Sequence, residues 1–336
     1  MFRTLLGRVA SGDTLTADEA DAAMGAIMDG EATPAQIAAF VTALRVKGET
    51  PGEIAGCARA MRRRAVRLDA GPGPILDTCG TGGDGRGTFN FSTMAALVAA
   101  ACGARVAKHG NRAATSRCGS ADLLEALGAR LQNPPEKLAR MIREVGLAYL
   151  HAPDFHPAMR HAAPVRRELG FRTVFNILGP LCNPAGADVQ TIGLFSPNLC
   201  RPLAEVLRTL GGRRAFLFHG HGGIDELSPT GPNLVVELRD GAVQETTLDP
   251  AGLGIRAPRL EDLAGGTPAE NAEIALRLLS GAPGPHRDAV LLNASVALVA
   301  AGLADSPREG LRRAAEAIDS GAARRKLDEF VAATRA

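Results

Sequence analysis

At 336 residues, with 38 Lys and Arg against 36 Asp and Glu, the chain can bury one large core or two unequal ones and carries a formal net charge of only +2. That balance argues against a protein that coats nucleic acid, and the absence of Trp beside a single tyrosine, Tyr149, argues against base-stacking platforms. No apolar run reaches the roughly 18 residues of a membrane span and no signal-peptide pattern opens the sequence, so the expectation is a cytoplasmic protein with neither membrane nor nucleic-acid partners.

The first seventy or so residues read as helix. Thr16 with Glu19, Thr33-Pro34 with Gln36 and Thr50-Pro51 with Glu53 each place a capping threonine three residues before an acid or amide. Gly30 and Gly48 stand where two of these helices should stop, and the run Arg62-Arg63-Arg64 reads as a solvated helix end. Gly71-Pro72-Gly73-Pro74 breaks the pattern and marks a boundary.

Strand and helix then alternate. Expected strands are Ile75–Cys79, Arg105–Lys108, Leu147–His151, Gln190–Phe195, Arg214–His219 and Leu234–Leu238. Between them lie helical patterns at Ser92–Ala101, Ala121–Leu127 and Pro135–Val145. The stretch His156–Leu169 is helical again, with little strand signal, and is expected to rejoin the N-terminal bundle. Helix returns at Pro268–Ser280, Asp288–Ala301 and Pro307–Thr334. The fold class is therefore α/β: a small N-terminal helical domain over 1–72, joined by helices from about 156–184, and a larger domain over 73–336 with a mostly parallel sheet. Ligand sites in such a sheet lie at the carboxyl ends of its strands.

Six cysteines, Cys57, Cys79, Cys102, Cys118, Cys182 and Cys200, are scattered without a C-x-x-C pair or zinc spacing, and read as small buried hydrophobes. The chemistry lies elsewhere. Gly80-Thr81-Gly82-Gly83-Asp84-Gly85-Arg86-Gly87 joins the first strand to an alanine-rich helix, and backbone N–H groups at such a junction cradle phosphate. It contains a formal G-x-G-x-x-G, yet its helix starts too late for a dinucleotide turn. The second strand also ends on Lys108-His109, where a ribose-binding acid would be expected. The segment Lys108-His109-Gly110-Asn111-Arg112-Ala113-Ala114-Thr115-Ser116, with Ser120, brings two cations, an amide and hydroxyls to a neighbouring strand end, as a second phosphate would require. Asp225-Glu226 follows a later strand, and if it faces the same cleft the pair suits Mg²⁺, with Ser92 adding a hydroxyl. His219 and His221 are read as loop-packing groups. A cation of Arg160–Arg167 could clamp a carboxylate.

Together these segments resemble the anthranilate phosphoribosyltransferase family. The likeness rests on Gly80–Asp84, Asn90-Phe91-Ser92-Thr93, Lys108–Arg112, Val165-Arg166, the run Arg172–Pro184 and Asp225-Glu226, and covers essentially the whole chain. It implies an architecture of the nucleoside-phosphorylase type, a homodimer joined through the helical domains, and transfer of phosphoribose from phosphoribosyl pyrophosphate to the amine of anthranilate in tryptophan biosynthesis. By the same resemblance Gly80, Gly83, Asp84, Thr88, Asn90, Phe91, Ser92 and Thr93 line the phosphoribosyl pyrophosphate site, continued by Lys108–Ser116 and Ser120. Gly80, Asn111 and Arg166 are implied to contact anthranilate, with His109, His156 and Pro180 along its channel, and Ser92, Asp225 and Glu226 to hold Mg²⁺. Cys79, and Asn233 where relatives commonly carry Thr, depart from the pattern without touching an implied ligand. A pyrimidine nucleoside phosphorylase shares this architecture, but the Lys108–Arg112 segment and the Arg172–Pro184 run favour the transferase. A non-catalytic nucleic-acid-binding relative would have a basic surface and an eroded acid pair, neither of which is seen here.

Overall fold

The computed structural model describes residues 1–113 and 116–336. Four helices open it: α1 (Phe2–Ala10), α2 (Ala17–Met28), α3 (Pro34–Lys47) and α4 (Pro51–Arg64). Thr16, Thr33 and Thr50 each accept from the backbone N–H three residues on, and Glu19, Gln36 and Glu53 return the bond, so the three expected capping boxes all form. Gly48 caps α3 at φ 88°, a backbone that side chains with a Cβ rarely adopt. The arginine run differs from its solvated reading. Arg62 Nε donates to the Leu181 carbonyl at 2.6 Å, Arg63 to Asp21 at 2.7 Å and Arg64 to Asp29 at 2.6 Å. These bonds tie α4 to α2 and to the segment after residue 170, and leave Arg63 exposed while Arg62 and Arg64 are half-buried against neighbours distant in sequence.

The sheet has seven strands: β1 (Leu76–Gly80), β2 (Val106–Gly110), β3 (Leu147–His151), β4 (Val189–Gly193), β5 (Arg214–His219), β6 (Asn233–Arg239) and β7 (Ala242–Leu248). Their order is β3-β2-β1-β4-β5-β6-β7. The first five are parallel and the last two antiparallel. β7 has no counterpart in the sequence reading because its polar edge residues show little apolar alternation. Its hairpin signal was nonetheless present in Asp240-Gly241, both left-handed at φ 50° and 80°. Two helices frame the site, α5 (Phe91–Ala101) and α6 (Ser120–Ala126). A helix over Cys200–Thr209 joins β4 to β5 in keeping with the strand–helix alternation, though no bounds were expected for it, and the expected single helix from Pro307 is two, Pro307–Asp319 and Ala322–Arg335, broken at left-handed Gly321.

Each face of the sheet has its own core. One buried cluster runs from Met24, Ile37 and Phe40 of the bundle through Val165, Phe175 and Leu181 to Leu203 and then Ile192 and Leu217 on the sheet. The other gathers Leu97, Val98, Leu292, Val296 and Phe330. The bundle is thereby fused to the sheet through residues 162–182, which fixes the position of Arg166 and Pro180. All six cysteines are free thiols. Among the described residues no helix is long and apolar enough to cross a membrane.

Candidate active site

Strand order reverses at β1, whose neighbours are β2 and β4, and the crevice beyond the carboxyl ends of such strands is where α/β sheets bind ligands. The glycine segment leaves β1 there, and Thr81 N–H donates to the Gly193 carbonyl at the end of β4 at 2.9 Å. The loop after β5 brings Asp225 and Glu226 into the same crevice. Gly80 and Gly193 make room for it: a Cβ on Gly193 would overlap the Asp225 carbonyl oxygen, and one on Gly80 would lie 2.7 Å from Asp225 Oδ2.

Three acids meet at the start of α5. Asp225 Oδ2 accepts from Gly82 N–H at 2.6 Å, Glu226 Oε1 from Ser92 N–H at 3.0 Å, and Asp84 Oδ2 from Asp225 N–H at 3.3 Å. Burial and then the neighbouring carboxylates push Asp225 well above the usual range. Burial pushes Glu226 up to about 7, against the opposing pull of Ser92 and Lys108. Like charges gathered in a partly desolvated place call for a cation. Among the described residues no three His, Cys, Asp or Glu side chains could hold a metal by themselves. Two carboxylates and the Ser92 hydroxyl do suit Mg²⁺ if substrate oxygens complete its shell.

The second wall leaves β2, which pairs with β1. Buried Lys108 donates through Nζ to the Thr78 carbonyl and lies 3.5 Å from Ser92 Oγ, so it bridges β1 and α5. Arg112 forks onto Glu125 at 2.5 and 2.8 Å and also reaches Asp122 at 3.2 Å. Asp122 in turn accepts from Ala113 N–H and Gly119 N–H, both at 2.9 Å, shaping the loop into α6. Asn111 is exposed, its Oδ1 accepting from Arg112 N–H at 2.7 Å. Ser116 Oγ donates to the Cys118 carbonyl at 3.4 Å. Ser120 Oγ meets the Tyr149 hydroxyl at 2.8 Å, and a Cβ on Gly110 would collide with both. Ala114 and Thr115 lie outside the described residues. Thr88 bridges to Ala264 and anchors the far end of the glycine segment. Asn90 Nδ2 donates to the Cys118 carbonyl at 3.0 Å, joining the two walls. The Phe91 side chain is in the core against Phe89, so only its backbone is available to a ligand. Thr93 is buried with its hydroxyl unpartnered among the described residues.

A third group belongs to the segment shared with the bundle. Arg166, on the Ala163–Leu169 helix, is half-buried with its guanidinium 5.4 Å over the Phe175 ring. It makes no ion pair among the described residues, and burial lowers its pKa. His109 and His156 are buried with ring centroids 5.1 Å apart, each Nε2 lacking a partner among the described residues. Burial, and next the His156 ring, push His109 down to about 3, and burial lowers His156 as well, so both rings are held toward their neutral forms. Pro180 is fixed by Gln190 Nε2, which donates to its carbonyl at 2.7 Å. His219 Nδ1 faces the Leu194 carbonyl at 2.7 Å and His221 Nδ1 the Thr230 hydroxyl at 2.8 Å, consistent with loop packing.

Several supporting residues escaped the sequence reading. Buried Asp77 accepts from His109 N–H at 3.1 Å and from Asn183 Nδ2 at 2.8 Å, fixing the turn that carries Asn111. Asn271 donates to Asn90 at 2.9 Å. Asn233, noted in the sequence only as a departure from the family pattern, accepts from Ser228 N–H at 2.7 Å and donates to the Ser228, Gly231 and Leu248 carbonyls, stapling the loop that carries the acid pair. An Asn inside an apolar strand start was the available signal.

The chain matches two family models: the glycosyl transferase family helical bundle domain over residues 3–65 and the glycosyl transferase family a/b domain over residues 72–324. An anthranilate phosphoribosyltransferase from Moorella thermoacetica is 54% identical over 332 residues, 99% of this chain and 98% of the relative. The chain belongs to the anthranilate phosphoribosyltransferase family. Among solved members of the family, the Thermus thermophilus enzyme superposes with a TM-score of 0.94 at 51% identity, covering 99% of both chains. The Saccharomyces cerevisiae enzyme, solved in complex with PRPP and Mg, gives 0.92 at 31% identity over 99% of this chain and 98% of its own. The family's two-part architecture, a helical domain and an α/β domain with a mostly parallel sheet, is the one found here.

Proposed function

We propose that this chain transfers the 5-phosphoribosyl group from phosphoribosyl pyrophosphate to the amine of anthranilate, giving N-(5-phosphoribosyl)anthranilate and pyrophosphate, a step of tryptophan biosynthesis. The observation that carries the reading is the meeting of Asp84, Asp225 and Glu226 with the glycine segment at the start of α5. Carboxylates there repel a bare diphosphate and attract one that arrives with Mg²⁺. The yeast relative's complex with PRPP and Mg supports the same assignment.

In this reading Gly80–Thr88 and Asn90–Thr93 form one wall of the phosphoribosyl pyrophosphate site, and Lys108–Ala113 with Ser116 and Ser120 the other. Ser92, Asp225 and Glu226 would hold Mg²⁺, which would supply positive charge beside the departing pyrophosphate. Breaking the bond from ribose C1 to pyrophosphate leaves positive charge on the sugar and negative charge on the leaving group. Loop N–H groups and Lys108, acting beside Ser92, stabilise the latter, so catalysis is electrostatic and positional. The aromatic amine of anthranilate is neutral at cellular pH, so its lone pair attacks C1 without prior deprotonation, and the proton the nitrogen then sheds passes to the departing pyrophosphate or to water. Arg166 holds the anthranilate carboxylate while Asn111 and Gly80 border the ring, and neutral His109, His156 and Pro180 line the approach. Displacement is dissociative, inverts C1 and forms no covalent enzyme intermediate. A cytosolic homodimer joined through the helical bundle completes the proposal.

Arg166→Ala tests the substrate side. Losing a charge-assisted fork on a carboxylate costs about 2–3 kcal/mol, so the anthranilate KM should rise about 100-fold while that for phosphoribosyl pyrophosphate stays within about 2-fold. Equal rises in both would remove the clamp. Phosphorolysis of thymidine or uridine in place of anthranilate turnover would instead identify a nucleoside phosphorylase.

A further inference from the structure

None of the roles proposed for the cleft involves Arg172. It lies on the turn between the Ala163–Leu169 helix and the short helix Phe175–Leu178. Its guanidinium is 4.1 Å over the ring of Phe195, just beyond β4. Phe195 is itself held to the glycine segment, its N–H donating to Thr81 Oγ1 at 3.0 Å. On the other side a Cβ at Gly83 would stand 3.4 Å from both Nε and Nη2 of Arg172. The cation is thus clasped between the loop and the ring that follows β4.

It is also unanswered. Arg172 is half-buried and makes no ion pair or side-chain hydrogen bond among the described residues. Apart from Arg166, which is already assigned to the anthranilate carboxylate, half-buried arginines such as Arg62, Arg214 and Arg287 are answered, by the Leu181 carbonyl, Glu237 and Asp319. Within the cleft, the other guanidinium of the two walls, that of Arg112, is forked onto Glu125. A planar guanidinium fixed over an aromatic ring with its donors open is pre-organised for a phosphate oxygen pair.

We propose that Arg172 is a further pyrophosphate-binding residue, reaching the leaving group across Gly83. The inference rests on the transferase reading above. It gives the glycine at 83 a second reason besides its left-handed φ of 74°, since a side chain there would press on the guanidinium. It also explains why the cation comes from this segment. Val174 and Phe175 beside it are buried in the core shared with the bundle, so the fork is delivered from a rigid base.

The test is calorimetric titration of the purified chain with pyrophosphate and Mg²⁺, for the parent, Arg172→Lys and Arg172→Gln. The expected result is at least about 10-fold weaker binding for Arg172→Gln and a smaller loss for Arg172→Lys, which keeps the charge but not the fork. In steady state the anthranilate KM should stay within about 2-fold of the parent. Unchanged pyrophosphate affinity in a folded Arg172→Gln protein would overturn the proposal, as would a rise confined to the anthranilate KM. Parent turnover of anthranilate is measured in parallel. If the parent does not turn over, the transferase reading fails, while the titration still decides what Arg172 binds.

Discussion

The helical bundle and the cleft treat charge in opposite ways. In the bundle, buried Glu53 accepts from Leu15 N–H at 3.0 Å, Thr50 N–H at 2.9 Å and Lys47 Nζ at 2.8 Å, and Arg63 and Arg64 find Asp21 and Asp29. In the cleft, Asp84, Asp225 and Glu226 crowd together, while Arg166 and Arg172 rest on phenylalanine rings without a carboxylate. His109 and His156 add buried nitrogens with no partner among the described residues. A fold could settle these groups by bringing acids and bases together, as the bundle does. Keeping them apart lowers stability and leaves charges for ligands to answer.

The contrast can be broken from the cleft side first. Replacing Asp225 with Asn and Glu226 with Gln together should lower kcat/KM by about 10³-fold or more, the scale of losing charge stabilisation at a leaving group. Folding should not suffer. Both carboxyls have raised pKa values, so above the usual carboxylate range their ionised forms oppose folding. The Tm of the Mg²⁺-free double variant at pH 8 should therefore equal or exceed the parent's. A large drop in Tm would mean the acid pair is structural.

The bundle should answer the other way. Glu53→Ala strands Lys47 and two backbone N–H groups, and removing one partner of a buried pair costs about 3–5 kcal/mol. Urea unfolding should show that loss, with turnover per folded molecule unchanged at low temperature. A selective loss of kcat without a change in the urea midpoint would contradict the division.

The smallest effect concerns pH. The folded pKa of His109 lies near 3 and the unfolded value near 6.5, so between those values the unfolded chain binds the extra proton. Stability from this group is complete above about pH 6.5 and falls with acidification, by at most about 1.4 kcal/mol per pH unit. His109→Gln removes the titration. Between pH 7.5 and pH 5 the variant should lose about 2 kcal/mol less than the parent in urea unfolding. Parallel losses would show that the histidine is not kept neutral by burial.

Much of this was legible in the chain. Helix caps are local, and Thr16, Thr33 and Thr50 declared them within four residues. The glycine segment, Lys108–Arg112 and Asp225-Glu226 each announced their residue types, and the parallel order of β1 and β2 followed from alternation. Long-range choices left fainter traces. Nothing near Arg112 says that Glu125 will hold it, and nothing near Arg172 says that Phe195 and Gly83 will enclose it. The same is true of Arg62, whose partner Leu181 is distant in sequence. β7 was missed because an exposed edge strand needs no apolar face.

The most direct measurement follows the fluorescence of anthranilate mixed with the purified chain, phosphoribosyl pyrophosphate and Mg²⁺. Fluorescence should fall as product forms, at a rate proportional to enzyme, and should stop falling when either Mg²⁺ or phosphoribosyl pyrophosphate is withheld. A folded protein that leaves anthranilate fluorescence constant with all components present would contradict the claim that the unpaired charges of this cleft await these two substrates.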